Sequence, residues 1–200
     1  MMFGHYYREY ATQYINTLQT LDFSIVERIF HEMDRARRDD RQVFVVGNGG
    51  SAASASHWAC DFGKGINVDG AKRLRVTSLA DNAAWMTALG NDLSYGDIFA
   101  EQLKNSLRPG DVVVGLSVSG NSENVVRAFQ YAKEQGAIVI ALVGAKKGRM
   151  EALADIALVI PSEDYGIVED VHMFVNHVIS QHMKQVNVIE AEAAVGGEGL

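Results

Sequence analysis

Two turns rich in glycine and serine each follow a short run of apolar, β-branched residues. Residues 47–51 read Gly-Asn-Gly-Gly-Ser, here termed the glycine turn, and residues 117–122 read Ser-Val-Ser-Gly-Asn-Ser, here termed the serine turn. Glycine lets the backbone approach a ligand without a side chain in the way, and the start of a following helix attracts an anion. We therefore expect both turns to bind an anionic group, with Asn48, Gly49 and Ser51 as contacts in the first.

The serine turn has more hydroxyl groups than a helix start requires. One serine is an ordinary N-cap, and Ser122 is a candidate for that role. The hydroxyls of Ser117, Ser119 and Ser122, with the amides of residues 119–123, predict a phosphate site. Because no Gly-Lys-Ser/Thr sequence follows, the turn is not a nucleotide P-loop.

The glycine turn also has the spacing G-x-G-x-x-A of a dinucleotide fingerprint. That fingerprint needs an acidic residue about twenty positions later, at the end of the second strand. Asp69 lies at that distance but precedes the second predicted strand, and Asp81, at the end of that strand, lies too far along the chain. We therefore expect no nucleotide cofactor. A plain tight turn, with Ser51 as a helix cap, is the other interpretation of the glycine turn.

Alternating strands and helices must position these turns. Residues 2–38 have apolar residues at spacings of three and four, which predicts one or two helices with a break near 22–24. Five β-branched runs follow, each ending in turn-forming residues. The predicted strands are 43–46, 75–79, 112–116, 138–143 and 156–160, and the predicted later helices are 52–62, 101–106, 123–135, 148–153 and 167–186. This order indicates an α/β fold with a five-stranded parallel sheet flanked by helices.

The same pattern divides the chain into three parts. We expect an N-terminal helical extension over residues 1–40, one α/β domain over 41–190 and a frayed tail over 191–200. Open parallel sheets bind ligands at the carboxyl ends of their strands, which is where both turns lie.

Composition excludes several classes of protein. The net charge is −7 and no basic run occurs, so we expect no nucleic-acid partner. Residues 34–41 alternate in charge sign and predict a solvated helix face. Cys60 is the only cysteine, which suits a reducing compartment. The chain has no signal peptide at its start and no apolar stretch that could span a bilayer, so we expect a cytoplasmic protein without membrane contact.

The pairing of the two turns resembles the sugar isomerase (SIS) domain and, within it, the phosphoheptose isomerase family, over roughly residues 2–185. The resemblance implies a flavodoxin-like three-layer sandwich that converts sedoheptulose 7-phosphate to D-glycero-D-manno-heptose 7-phosphate, for lipopolysaccharide or capsule precursors. It also implies a homotetramer with active sites at subunit interfaces and, in several members, a bound zinc ion. By motif position it assigns Ser51, Ser117, Ser119 and Ser122 to the substrate and its phosphate, and Asp81 to the sugar.

Four further positions correspond to functional positions of the family, and two of the four hold a different residue in this chain. Where the family has a His and a Glu four residues apart, this chain has His57 and Asp61; where it has a Gln and a His eight residues apart, this chain has Glu169 and His177. Asp61 is one methylene shorter than the family's acid/base glutamate, which reduces its reach. Glu169, on the facing helix, could restore that reach, so Asp61 and Glu169 are both candidate bases.

Isomerisation of a ketose to an aldose moves protons between two carbons and between their oxygens. It needs a base with a pKa near neutrality and an acid, and His177 is a candidate because histidine titrates near pH 7. His57, Asp61, Glu169 and His177 also make a candidate Zn²⁺ site, where the metal would stabilise an enediolate.

Some alternatives remain at this level. His5, His31 and His182 are expected to be structural, whereas His172 could also support the site. A non-catalytic SIS protein that binds phosphosugars and associates with the bacterial replication initiator would share both turns but lack the catalytic residues near 61 and 177. A phosphosugar-sensing regulator, or an isomerase for another ketose phosphate, is also open.

Overall fold

Two helices precede the first strand in a computed structural model that describes residues 2–196 of the chain, with side chains through residue 194. Helix α1 is Phe3–Gln19 and helix α2 is Phe23–Arg38. Asp22 separates them, because its carboxylate accepts a hydrogen bond from the Ser24 amide (3.0 Å) and caps the second helix. The predicted break is therefore confirmed.

The sheet has five strands, all parallel, as predicted. The strands are β1 (Gln42–Gly47), β2 (Arg75–Ser78), β3 (Val112–Ser117), β4 (Ile138–Val143) and β5 (Ile156–Val159). Their spatial order is β2-β1-β3-β4-β5. In the register of β1 and β3, Gly47 lies opposite Leu116, so these two strands end side by side.

Seven further helical elements connect and cover the strands. They are α3 (Gly50–Cys60), a π-helical turn (Asp61–Gly65), α4 (Ala83–Asp92), α5 (Ala100–Ser106), α6 (Glu123–Glu134), α7 (Gly148–Leu153) and α8 (Tyr165–Gly196). The π-helical turn and α4 were not predicted. The α4 helix is capped by Asn82, whose side chain accepts from the Trp85 amide. None of its residues, all of them described, is fully buried, and Met86 and Leu89 pack only partly against the core, which is a short apolar stripe for predicting a helix.

The last helix is longer than its predicted range of 167–186. It continues to Gly196 because residues 190–194, Glu-Ala-Glu-Ala-Ala, are strong helix formers. Part of the segment assigned to a frayed tail is thus helical, and residues 197–200 lie outside the described part of the chain.

The core consists of two apolar layers, one on each face of the sheet. One layer joins alternate strand residues such as Val45 and Val114 to α2, α3 and α8, and includes the fully buried Trp58 and Phe62. The other layer joins strand residues that point to the opposite face, such as Phe44, Val113 and Val139, to α5, α6 and α7. Both faces of the sheet are therefore covered, which makes the domain a three-layer sandwich.

The charged segment 34–41 is not simply a solvated face. Asp34 and Arg37 are buried, and the Arg37 guanidinium pairs with Asp34 (2.8 Å) and with Glu190 on α8 (2.9 Å). Sign alternation did not reveal this because the second partner of Arg37 lies 153 residues away. The pairing ties α2 to the second half of α8.

Within residues 2–196, no helix is both long enough and apolar enough to cross a bilayer.

Candidate active site

Both turns lie at the switch point of the sheet. The chain runs from β1 outward to β2 at one edge and then returns to β3 on the other side of β1. The connections after β1 and β3 therefore leave the sheet in opposite directions and open a crevice at the carboxyl ends of these strands, where open α/β sheets bind ligands. The glycine turn follows β1 and the serine turn follows β3, so the fold brings the two turns to one crevice.

The three hydroxyls of the serine turn converge. The Ser117 Oγ lies 3.5 Å from the Ser119 Oγ and 3.3 Å from the Ser122 Oγ. Ser122 occupies the N-cap position of α6, but its side chain makes no capping hydrogen bond. The capping interpretation of Ser122 is therefore wrong, and its hydroxyl is directed at that of Ser117. Three hydroxyls together at a helix start provide several donors to one anion.

The backbone of the serine turn requires glycine at position 120. Gly120 has φ +63°, and a Cβ there would collide with the Lys147 carbonyl oxygen. The nearby acidic residue, Glu123 on α6, is paired with Arg149 (2.6 Å) and Arg127 (2.9 Å), and these pairs lower the pKa of its carboxyl group. The negative charge beside the turn is thus compensated, which favours an added anion.

The glycine turn is fastened to α6 through its asparagine. The Asn48 Nδ2 donates to the Asn124 Oδ1 (2.9 Å), the Asn124 Nδ2 donates to the Asn48 Oδ1 (2.8 Å), and the Tyr95 hydroxyl donates to the same Asn48 oxygen (2.9 Å). Asn124 is buried and lies two residues after Ser122. This amide pair bridges the two turns, so Asn48 holds the crevice together as well as lining it.

Glu169 faces the start of α3. Its carboxylate lies so close to Gly50 that a Cβ at that position would collide with it. Burial raises the pKa of Glu169, and the charge of Asp170 adds to this effect. The positive end of α3 therefore already faces a carboxylate, which opposes a phosphate there. Of the two turns, the serine turn is therefore the better candidate for a phosphate site.

His57, Asp61 and His177 form a compact group, here termed the histidine–aspartate group. One ligand atom from each lies within 4.8 Å of the others. The Asp61 Oδ2 lies 3.3 Å from the His57 Nε2 and 3.7 Å from the His177 Nε2, and the two imidazole nitrogens are 3.4 Å apart. The histidine side chains are 50% and 47% exposed and the aspartate 25%, so the group is open to solutes.

The fourth predicted metal ligand lies apart from this group. Glu169 precedes His177 by eight residues on α8, about 12 Å along the helix axis, and its carboxylate contacts Gly50 instead. Asp81 accepts a hydrogen bond from the Ser56 hydroxyl on α3, next to His57. Asp81 therefore lies beside the helix that carries the histidine–aspartate group.

Several residues near the site were not identified from the sequence. Tyr95 and Asn124 hold Asn48, and Asn176, next to His177, donates a hydrogen bond to Asp61. The available signal for Asn176 was a polar residue inside the apolar stripe of α8. His172 is fully buried and hydrogen-bonds the Leu142 carbonyl oxygen (3.2 Å), and burial lowers its pKa to about 4. His172 therefore joins α8 to strand β4 of the sheet.

The fold and site define an open α/β domain with a serine-rich turn at its switch point and a histidine–aspartate group formed by α3, the π-helical turn and α8. The sequence model of the SIS domain family matches residues 6–144. The chain belongs to the SIS domain family.

Curated relatives and solved structures extend this likeness beyond the matched region. A phosphoheptose isomerase of Sulfurimonas denitrificans is 37% identical over 165 residues, which are 82% of this chain and 79% of the relative. One from Clostridium acetobutylicum is 38% identical over 167 residues, 84% of this chain and 81% of the relative. The structure of a phosphoheptose isomerase from Neisseria gonorrhoeae superposes with a TM-score of 0.85 at 27% identity, covering 92% of this chain and all of that one (100%).

Proposed function

We propose that this protein is a phosphosugar isomerase that converts sedoheptulose 7-phosphate to the corresponding aldoheptose phosphate. The observation that carries the proposal is that His57 on α3, Asp61 in the π-helical turn and His177 on α8 meet in one group. The helix α3 begins at the glycine turn. The relatives are phosphoheptose isomerases. A non-catalytic binding protein has no need for this group, and the comparisons give that alternative no support.

The substrate's phosphate binds in the serine turn, where Ser117, Ser119 and Ser122 donate to its oxygens. The sugar then extends past Asn48, Gly49 and Ser51 toward Asp81 and the histidine–aspartate group. His57 lies two helical turns after Gly50, about 10 Å along α3. This separation favours a sugar phosphate whose reacting carbons lie several bonds from the phosphate.

Proton transfer is assigned to His177, Asp61 and Glu169. His177 is half exposed, and its imidazole can both accept and donate a proton, which suits an acid/base that handles the sugar oxygens. Glu169 is the better candidate for the carbon-bound proton, because its raised pKa makes it a stronger base than an ordinary carboxylate. Asp61 faces both histidines and holds their rings in place.

The donor set of the histidine–aspartate group fits Zn²⁺, since two imidazoles and a carboxylate are its usual ligands in catalytic sites and the three ligand atoms already lie within 4.8 Å of one another. His57, Asp61 and His177 would hold the ion, with Glu169 outside the set. A bound Zn²⁺ would stabilise negative charge on the substrate oxygens as a Lewis acid.

We also propose that the protein works in the cytoplasm as a homotetramer. Exposed apolar side chains support subunit contacts: Phe3 on α1 is 81% exposed, Phe23 on α2 71% and Val178 on α8 42%. Val178 directly follows His177, so a neighbouring subunit on this face would also cover the open side of the histidine–aspartate group and exclude water.

Incubation of the purified protein with sedoheptulose 7-phosphate, with and without a chelator, tests the proposal. We expect formation of the aldose phosphate, followed by NMR, and a loss of rate after chelation that added Zn²⁺ reverses. Ribulose 5-phosphate and fructose 6-phosphate serve as shorter substrates. If no ketose phosphate of five to seven carbons gives an aldose, the protein is a binding protein instead.

A further inference from the structure

Asn176 makes a direct hydrogen bond to the carboxylate of the histidine–aspartate group. Its Nδ2 donates to the Asp61 Oδ2 at 2.6 Å. This is the same oxygen that lies 3.3 Å from the His57 Nε2 and 3.7 Å from the His177 Nε2. One amide proton therefore fixes the oxygen around which both imidazoles are arranged.

Packing alone does not explain an asparagine at this position. Asn176 is fully buried between the apolar residues Val175 and Ile179 of α8, and its Oδ1 is buried without a hydrogen-bond partner among the described residues. A buried, unpaired amide oxygen is destabilising, and an apolar side chain would avoid that cost. The opposite amide orientation would place Oδ1 against the Asp61 carboxylate, so electrostatics fixes Nδ2 as the end that faces Asp61.

Asp61 needs an external partner to hold its orientation. It is the first residue of the π-helical turn, where the regular hydrogen bonding of α3 ends, and π-helical turns occur frequently at functional sites. Its carboxylate is only partly exposed and faces two histidines. A hydrogen bond from a rigid, buried donor limits rotation of the carboxylate and keeps Oδ2 toward the imidazoles.

We propose that Asn176 is a positioning residue that orients Asp61 for the function of the histidine–aspartate group. The inference rests on the proposed isomerase function, and it adds a residue outside the turns and outside the group itself. Asn176 touches neither substrate nor metal and acts through Asp61.

A second asparagine on α8 provides a matched control. Asn187 is also buried, also has an unpaired Oδ1, and donates from Nδ2 to the Ile66 carbonyl oxygen at 2.8 Å, just after the same π-helical turn. Its partner is a backbone carbonyl that would otherwise lose its hydrogen bond, so its role is structural. The Asp61 carboxylate, being partly exposed, can be hydrated if Asn176 is removed.

The test compares Asn176→Leu with Asn187→Leu in the full-length protein. We expect Asn176→Leu to lower kcat about tenfold or more with KM nearly unchanged and to melt at the wild-type temperature. We expect Asn187→Leu to melt at a lower temperature and to keep the wild-type kcat. In an Asp61→Ala background, Asn176→Leu should lower kcat no further, because the two residues act as one unit.

Titration with Co²⁺, followed by its visible absorption, gives a second measurement that needs no turnover. We expect Asn176→Leu to weaken Co²⁺ binding about tenfold and Asn187→Leu to leave it unchanged. If the wild type binds Co²⁺ but isomerises no sugar, the proposed function fails while this titration still decides the role of Asn176. A purely structural role is established instead if Asn176→Leu lowers the melting temperature with kcat and Co²⁺ affinity unchanged, or if its effect on kcat persists in Asp61→Ala.

Discussion

The serine turn and the histidine–aspartate group are built in opposite ways. The serine turn is one contiguous segment between β3 and α6, and its three hydroxyls meet because the local backbone brings them together. The histidine–aspartate group joins residues from α3, the π-helical turn that continues it and α8, and His57 and His177 are 120 positions apart. The first depends on local backbone geometry, whereas the second depends on how two helices pack.

This difference predicts a division of labour. A turn that is formed locally can bind phosphate whatever the exact placement of α8, so its variants should change substrate affinity. A group assembled across two helices is sensitive to small shifts of either helix, so its variants should change turnover. Of the four predictions that follow, three test this division through kinetics and one tests how α8 is held on the sheet; they run from the largest expected effect to the smallest.

Replacement of His177 by alanine should have the largest effect. We expect kcat to fall about a thousandfold, because the proposed acid/base group is lost, while KM changes little since the serine turn is intact. Steady-state kinetics measure both parameters, and His182→Ala, an exposed histidine on the same helix, is the control. A large rise in KM with kcat preserved would place His177 in substrate binding and would break the division.

The buried His172, which joins α8 to the sheet, should make the stability of the folded protein sensitive to acid. Its pKa is lowered from 6.5 to about 4 by burial, so the folded state favours the neutral ring. The stability that this provides is fully present above pH 6.5 and is lost as the pH falls toward 4, and the shift corresponds to about 3 kcal/mol. Urea unfolding of the wild type between pH 7 and 4 should show this loss.

The variant His172→Gln keeps a donor for the Leu142 carbonyl but does not titrate in this range. Its free energy of unfolding should depend less on pH than that of the wild type, and His182→Gln should behave as the wild type does. Equal pH dependence in His172→Gln and the wild type would mean that other groups cause the acid sensitivity.

In the serine turn, Ser122→Ala should raise KM by about 10- to 100-fold, which corresponds to the loss of one hydrogen bond to a charged phosphate. The kcat value should change much less. Ser122 is the cleanest of the three serines to replace because its side chain does not cap α6, and Ser106→Ala, at the exposed end of α5, is the matched control. A drop in kcat at constant KM would show that the turn takes part in the chemistry and does not only hold the phosphate.

The same contrast explains what could be predicted from the sequence. The strands, both turns and the break at Asp22 were predictable because each is encoded by neighbouring residues. The serine turn was recognisable for the same reason, since its hydroxyls exceed the needs of capping. By contrast, the positions of His57 and His177 were assigned through a family resemblance, and only the fold shows that their side chains meet.

Features that depend on packing were missed. Asn176 matters because α8 lies against the π-helical turn, and neither that turn nor its contact with α8 is visible in the residue pattern. Glu169 was predicted to share a metal with His177, yet the gap left by Gly50 brings its carboxylate to the start of α3. The ion pair between the buried Arg37 and Glu190 was likewise hidden, because it requires knowledge of which helix lies next to α2.

A substitution at Gly50 tests whether a locally formed turn can affect turnover, because Gly50 belongs to the glycine turn yet contacts a residue of α8. A Cβ in Gly50→Ala would collide with the Glu169 carboxylate and displace it, while alanine suits this helical position at least as well as glycine. We therefore expect stability to be kept, kcat to fall about tenfold because the proposed base is displaced, and phosphate affinity to stay unchanged. Gly4→Ala in the first turn of α1, where a new Cβ would meet only the Arg8 side chain at 3.9 Å, is the control.

The result of Gly50→Ala also decides between the two candidate bases. If kcat stays at the wild-type value after the carboxylate has been displaced, Glu169 does not act from its observed position, and Asp61, held by Asn176, is the base. If kcat falls in Gly50→Ala and falls no further when Glu169→Gln is added, the loss of kcat in Gly50→Ala is caused by the displacement of Glu169. The glycine turn would then have two separable roles, one in holding Asn48 for the sugar and one in leaving room for the catalytic carboxylate.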